Sequence, residues 1–250
     1  MSIHRAAEPM GEWGLRAARL YGEDYATRYS ETDRASAADE VFIRLSAWLA
    51  GLCAGFGRPI SVLDLGCGTG RYFSALGHVS ELVGIDASES MLGRARLVAP
   101  PSGAARAAGA ASSLTLIRGD LATCRFEPGR FDLVYAIGVV AEHVPLTQAL
   151  AQRVSGWLSP GGRFAFTAVH PDSFSIARSW KRRLGRHAMA FVPGSLREWL
   201  RMRWLADGLY ADESRVTEVL TGAGFVVESL DRLVDVHLHC LAVGRKPALR

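Results

Sequence analysis

The sequence predicts an α/β fold: a mostly parallel sheet covered by helices on both faces. Three observations carry this reading. Residues 61–65, 81–85, 133–140 and 163–169 are near-continuous apolar runs, the pattern of strands buried on both sides. Helical stretches separate them, so the strands pair in parallel through crossovers. The first run ends in Gly66-Cys67-Gly68-Thr69-Gly70, a strand-to-helix turn suited to a nucleotide-like ligand. Glycine takes positive φ cheaply and lets a ligand approach the backbone, and a helix start offers unpaired N–H groups.

The elements follow in order. Tyr21, Tyr25 and Tyr29 recur every four residues and share one helical face. Val41, Leu45, Trp48, Leu49 and Leu52 form a stripe on a helix over 37–53, read as packing. The second strand, Glu81 to Asp86, ends in an acid 22 residues after Asp64. A carboxylate at a strand end can accept both hydroxyls of a ribose. Alternatively, Asp86 caps the helix predicted over 88–97, on which Met91 is either a ligand contact or core. Residues 98–113 form a Pro/Ala/Gly/Ser-rich connection longer than usual. The third strand, Leu114 to Ile117, runs into Gly119-Asp120-Leu121, and Asp120 can accept an adenine amino group. The fourth ends near Gly138, and a helix is expected over 144–157. The fifth ends in His170-Pro171-Asp172. Two helices, over 173–184 and 194–205, then form a lid.

Composition narrows the class. A chain of 250 residues with 49% apolar content suits one large domain. Its first twenty residues carry Glu8, Glu12, Arg16 and Arg19, so no secretory leader is expected. The longest apolar candidate, Leu133 to Ala141, is bounded by Asp132 and Glu142 and is too short to cross a membrane. The four cysteines show neither C-x-x-C pairs nor zinc spacing, which points to a reduced, cytoplasmic setting and no metal.

Together the motifs resemble the class I S-adenosylmethionine (SAM)-dependent methyltransferases, of the small-molecule, type 11/25-like group. LDLGCGTG (63–70), GIDASESML (84–92), GDL (119–121), FDLVYAIGVVAEHV (131–144) and LSPGGRFAFT (158–167) stand in the family's order. AGFVVESLD (223–231) and HLHCLAVGRK (237–246) resemble its sixth and seventh strands. The resemblance implies a Rossmann-like, mostly parallel seven-stranded sheet in a single domain. An N-terminal helical cap would span 1–58, a SAM-binding core 59–170, a helical lid insertion 171–210, and a C-terminal helix with strands six and seven 211–250.

The same resemblance assigns cofactor residues. Asp64, Gly66, Cys67, Gly68 and Gly70 would hold the methionine moiety, with Cys67 itself a small filler in the loop. Asp86 would take the ribose, Ala87 and Met91 would flank the adenine, and Asp120 and Leu121 would fix its edge. Tyr21 and Ile137 complete the expected cofactor contacts. A turn-stabilising role for Asp64 remains the alternative.

The acceptor is decided outside these motifs. Tyr29 on the N-terminal helix is expected to contact the methionine carboxylate or the acceptor; the other reading of this helix is packing of its aromatic face. His143 and His170 are candidate general bases, the latter because ligands sit beyond the carboxyl ends of parallel strands. Their alternatives are helix capping, shared with Glu142, and a turn role. His237 and His239 are read as surface or packing residues. Window 178–203 holds eight basic residues against Glu198, a surplus of seven in a chain of formal net charge +4. That segment is either a solvated face or a grip on an anionic acceptor, an acidic carrier protein or nucleic-acid phosphates. The favoured function is methyl transfer to an O, N or C nucleophile of a small molecule, plausibly in secondary metabolism. An RNA-modifying methyltransferase is the alternative.

Overall fold

The fold comes from a computed structural model, which describes residues 10–35, 39–98, 113–173, 209–234 and 238–248. Helices α1 (Glu12–Leu20), α2 (Glu23–Ala35) and α3 (Glu40–Ala54) precede the sheet. Then come β1 (Ile60–Leu65), β2 (Val79–Asp86), α4 (Glu89–Ala95), β3 (Ser113–Arg118), β4 (Phe131–Ala136), α5 (Gln148–Trp157) and β5 (Leu158–Val169). The chain closes with α6 (Glu213–Gly222), β6 (Val226–Val234) and β7 (Leu238–Arg245).

The seven strands are ordered β3-β2-β1-β4-β5-β7-β6. The first five are parallel, and β7 runs antiparallel to both β5 and β6. This is the Rossmann-like, mostly parallel sheet that the motif order implies.

Alternate residues on the central strands serve two cores, because side chains on a strand point to opposite faces. Leu63 and Leu65 of β1, with Val134 and Ala136 of β4, join Leu150 and Val154 of α5 and Val216 and Leu220 of α6. On the other face Val62, Leu133 and Tyr135 meet Leu49 and Cys53 of α3 and Leu92 and Ala95 of α4. Burying a full Leu or Val side chain contributes about 1.5–3 kcal/mol, so the double-sided burial fixes strand register. Asp132 ties the sheet's amino-terminal edge: it accepts from both Arg58 Nη atoms at 3.1 and 2.8 Å, from Ser61 N at 3.1 Å and from Ser159 Oγ at 2.9 Å.

Several boundaries differ from the sequence reading. The fourth strand stops at Ala136, ahead of Gly138 at φ +70°. The helix expected over 144–157 starts only at Gln148, where the Thr147 side chain accepts from Leu150 N. Pro145 lacks a backbone donor, and residues 139–144 fold on themselves instead: His143 N and Val144 N both donate to Val139 O. The helix over 88–97 is shorter, Glu89–Ala95, and its N-cap is Ser88, not Asp86. The fifth strand starts earlier, at Leu158. The two helices expected over 173–184 and 194–205 lie outside the described residues. No helix of the described chain is long and apolar enough to cross a membrane.

Candidate active site

The carboxyl ends of β1, β2, β4 and β5 open into a cavity of about 320 Å³ roofed by α1, α2 and the start of α3. That volume suits a small-molecule or cofactor site. Most residues singled out from the sequence line it: Tyr21, Tyr29, Asp64, Gly66, Cys67, Gly68, Asp86, Ala87, Met91, Asp120, Leu121, Ile137 and His143. Gly70 and His170 are not among its described walls.

The glycine loop shows why its residues are needed. Gly66 sits at φ +77°, and a Cβ there would meet Val139 Cγ2 at 2.6 Å. Gly68 has φ +53°, and its N–H donates to Asp86 Oδ2 at 2.9 Å. Gly70 turns the chain over Phe73, whose ring a Cβ would reach at 2.6 Å. Cys67 fills the space under Gly84, and burial pushes its thiol well above the ordinary value.

Asp64 is 4% exposed. Tyr135 Oη donates to its Oδ2 at 2.5 Å. Burial pushes its carboxyl up to about 8; the Tyr135 hydrogen bond opposes the rise and the Asp86 charge adds to it. Asp86 accepts from Ser88 N at 2.8 Å as well as from Gly68; burial raises it too, against those backbone donors. Asp120 accepts from Ala122 N at 2.8 Å and from Gly14 N of α1 at 3.1 Å. Gly14 occupies the first turn of α1, where N–H groups lack helical partners, so Asp120 caps a helix 106 residues away. A Cβ on Gly14 would meet that carboxylate at 2.6 Å.

Three more links fasten the roof. Ser88 Oγ, which caps α4 through Met91 N, also donates to Tyr21 O at 2.5 Å. Arg94 of α4 bonds Glu23 and Thr27 of α2, at 2.8 and 2.7 Å. Tyr21 Oη stands 2.6 Å from His143 Nε2. Burial, with Tyr25 and Glu142 nearby, raises the Tyr21 phenol, while burial lowers His143. Glu142 lies in the same wall, 4.0 Å from His143 Nε2, and burial pushes its carboxyl up to about 7. The loop presenting both is tightly bent: Ala141 takes φ +58° and is fully buried.

The tyrosine that reaches His143 is thus Tyr21, first read as a cofactor contact; Tyr29 stacks on Tyr25 at 5.7 Å and is 37% exposed. His170 is 5% exposed and turned toward α6, with Nε2 3.1 Å from Glu213 and Nδ1 accepting from Asp172 N. His239, read as surface or packing, instead lines the cavity with Leu233; His237 lies outside the described residues. Val41 and Leu45, read as packing alone, also face the cavity, as do Trp13, Arg71 and Tyr72. Arg71 directly follows the glycine loop, a placement that could have flagged it; nothing local marks Trp13 or His239.

This sheet order, with a glycine loop after β1 and acids after β2 and β3, defines the class I methyltransferase type of fold. Residues 62–162 match the model of the methyltransferase domain. The magnesium protoporphyrin IX methyltransferase ChlM from Synechocystis PCC 6803, solved with bound S-adenosylhomocysteine (SAH), superposes with a TM-score of 0.62 at 16% identity, over 94% of this chain and all of that one. A SAM-dependent methyltransferase from Mesorhizobium loti gives 0.51 at 22%, over 76% and 92%. The N-methyltransferase NodS from Bradyrhizobium japonicum WM9 gives 0.52 at 19%, over 84% and 98%. No curated protein sequence matches the chain. Residues 62–162 thus form a methyltransferase domain, an enzyme domain whose cofactor is SAM.

The cavity fits that cofactor chemically. Asp64 is a buried carboxylate facing the cavity, and the methionine ammonium of SAM supplies a cation for it. The close approach of Val139 behind Gly66 leaves no room for a side chain where backbone must meet ligand.

Proposed function

We propose that the protein methylates a hydroxyl or acidic carbon on a small, ring-bearing molecule. SAM supplies an electrophilic methyl on its sulfonium, so the protein's work is to align a nucleophile about 3 Å from that carbon and exclude water. The observation that carries the reading is the Tyr21–His143 contact at 2.6 Å inside a roofed cavity. A histidine lowered by burial is neutral near pH 7 and able to take a proton. Nε2 receives it from the acceptor directly or through the Tyr21 hydroxyl, and Glu142 beside it balances the imidazolium that forms. Tyr21, Tyr25, Tyr29, Trp13 and Tyr72 give the cavity aromatic walls, which suit a flat acceptor.

Asp64, Gly66 and Gly68 are assigned to the methionine end of SAM, Asp86 to the ribose, and Ala87, Met91, Asp120 and Leu121 to the adenine. The fold neighbour ChlM, a magnesium protoporphyrin IX methyltransferase, supports small-molecule chemistry. The RNA alternative rests on basic window 178–203, outside the described residues; the roofed aromatic cavity favours the small acceptor. Secondary metabolism and a cytoplasmic setting remain parts of the proposal.

The test is methyl transfer from radiolabelled SAM to a library of phenols, enols and amines. Product from a phenol or enol that falls at least 100-fold in His143→Ala, with SAH affinity kept, supports the reading. Product from amines alone, undiminished in His143→Ala, refutes it. Transfer to bulk tRNA that weakens steeply with salt would replace it with the RNA reading.

A further inference from the structure

The loop after β4 turns its two polar side chains into the cavity. Val139, Val140 and Ala141 are buried behind it, while Glu142 and His143 stand in the cavity wall. The loop's backbone is bonded within itself. Ala141 N donates to Val144 O at 2.8 Å and Glu142 N to Val139 O at 3.3 Å, and the same Val139 oxygen takes His143 N and Val144 N. These four backbone N–H groups are therefore taken, and none serves the Glu142 carboxylate.

Glu142 is thus a carboxylate in a cavity wall without a donor. Its contact among the described residues is His143 Nε2 at 4.0 Å, beyond hydrogen-bond reach. Burial alone pushes the carboxyl up to about 7; no hydrogen bond opposes the rise as Tyr135 does at Asp64. A carboxylate left this way costs free energy that a ligand donor recovers.

Beside it, the raised Tyr21 phenol keeps its proton and gives its hydrogen bond to His143 Nε2 at 2.6 Å. Its oxygen retains lone pairs for the hydroxyl to be methylated. Two acceptors therefore stand side by side: the Tyr21–His143 pair and, 4.0 Å from the imidazole nitrogen, Glu142. Hydrogen bonds of about 2.7 Å from hydroxyls on neighbouring ring atoms reach two acceptors this close. Hydroxyls on opposite sides of a ring point apart and do not.

We infer that Glu142 selects the acceptor by taking a hydrogen bond from a second donor, a hydroxyl or amino group, on the ring atom next to the methylated hydroxyl. This rests on the proposed small-molecule function and names the acceptor class within it: ortho-diphenols and ortho-aminophenols. The methylated hydroxyl passes its proton to the Tyr21–His143 pair as its oxygen takes the methyl. The C–S bond breaks with its electrons on sulfur, leaving SAH. The second donor keeps its proton, held by the carboxylate in a charge-assisted bond. The methionine ammonium of SAM is a donor too, and the experiment separates the two sources.

The probes are the methyl esters of 3,4-dihydroxycinnamate, 4-hydroxycinnamate and 4-hydroxy-3-methoxycinnamate, titrated calorimetrically into SAH-loaded protein. Wild type is expected to bind the diol at least tenfold tighter than either other ester. Glu142→Ala should erase that preference while leaving the affinities for SAH and for the monohydroxy ester within about threefold. Glu142→Gln, which keeps an acceptor oxygen but loses the charge, should retain only part of it and serves if the alanine variant fails to fold. Equal binding of the three esters by wild type, or binding of none, overturns the inference. So does an unchanged diol preference in the folded variants. Loss of SAH binding in them overturns it as well, because Glu142 would then belong to the cofactor's ammonium. Failure of the proposed function looks different: no methyl transfer to any phenol or enol, whatever the binding ratios.

Discussion

Replacing Asp64 with Asn should stabilise the ligand-free protein and cripple cofactor binding. In the folded chain the carboxyl is pushed up to about 8 from 3.8 by burial. Above pH 4 the unfolded chain has released this proton while the folded chain still holds it. Stability therefore falls as pH rises from about 4 to about 8, and is independent of this group outside that window. Four units correspond to about 5 kcal/mol as an upper bound. Asn keeps an acceptor for the Tyr135 hydroxyl and carries no proton cost, so a gain of roughly 2–3 kcal/mol at pH 8 is reasonable. For a chain of this size that raises Tm by about 5–10 °C. Thermal unfolding of both proteins from pH 4 to 8 is the assay: the two curves should lie closest near pH 4 and diverge with rising pH. SAH titration should show at least a 100-fold weaker complex for the variant, because the ammonium loses its counter-charge. A ligand-free Asp64→Asn protein that melts lower than wild type at pH 8 would refute the reasoning.

Four further outcomes follow from the site and its supports. Turnover should be flat through neutrality and fall only on the acid side of the ordinary histidine range, because burial lowers His143; a pH–rate profile with its limb well above pH 7 would count against His143 as base. Gly14→Ala drives a methyl into the Asp120 carboxylate, so α1 should detach and SAH affinity drop at least tenfold, seen as new protease cleavage ahead of residue 21. Ala141→Gly relieves a buried left-handed residue and should stabilise by about 1 kcal/mol, measured by urea unfolding. Asp132→Ala leaves Arg58, Ser61 and Ser159 without their shared acceptor and should cost about 2–4 kcal/mol with SAH affinity unchanged.

The sheet was legible in the sequence because its central strands are buried on both faces, which leaves apolar runs that no surface element imitates. The glycine loop and the acids at 64, 86 and 120 were legible because a strand-to-helix turn fixes their place within a few residues. What was not legible depends on contacts between distant segments. Helix α1 has only nine residues, and the acid that caps it, Asp120, lies in another motif. His170 stands at the strand end where parallel sheets put ligands, yet Glu213 of α6 holds its ring aside. His239 reads from the sequence as a surface or packing residue, but β7 pairs it with Val169 at the carboxyl end of β5. Pro145 was the local signal that the helix over 144–157 starts late.

The central claim is that SAM lies along the carboxyl edge of the sheet with its methionine end at Asp64. The most direct measurement is the electron density of crystals grown with SAH. The adenine is expected between Met91 and Leu121, the ribose at Asp86 and the ammonium at Asp64. Density for SAH outside this cavity, or a cavity left empty at saturating SAH, would contradict it.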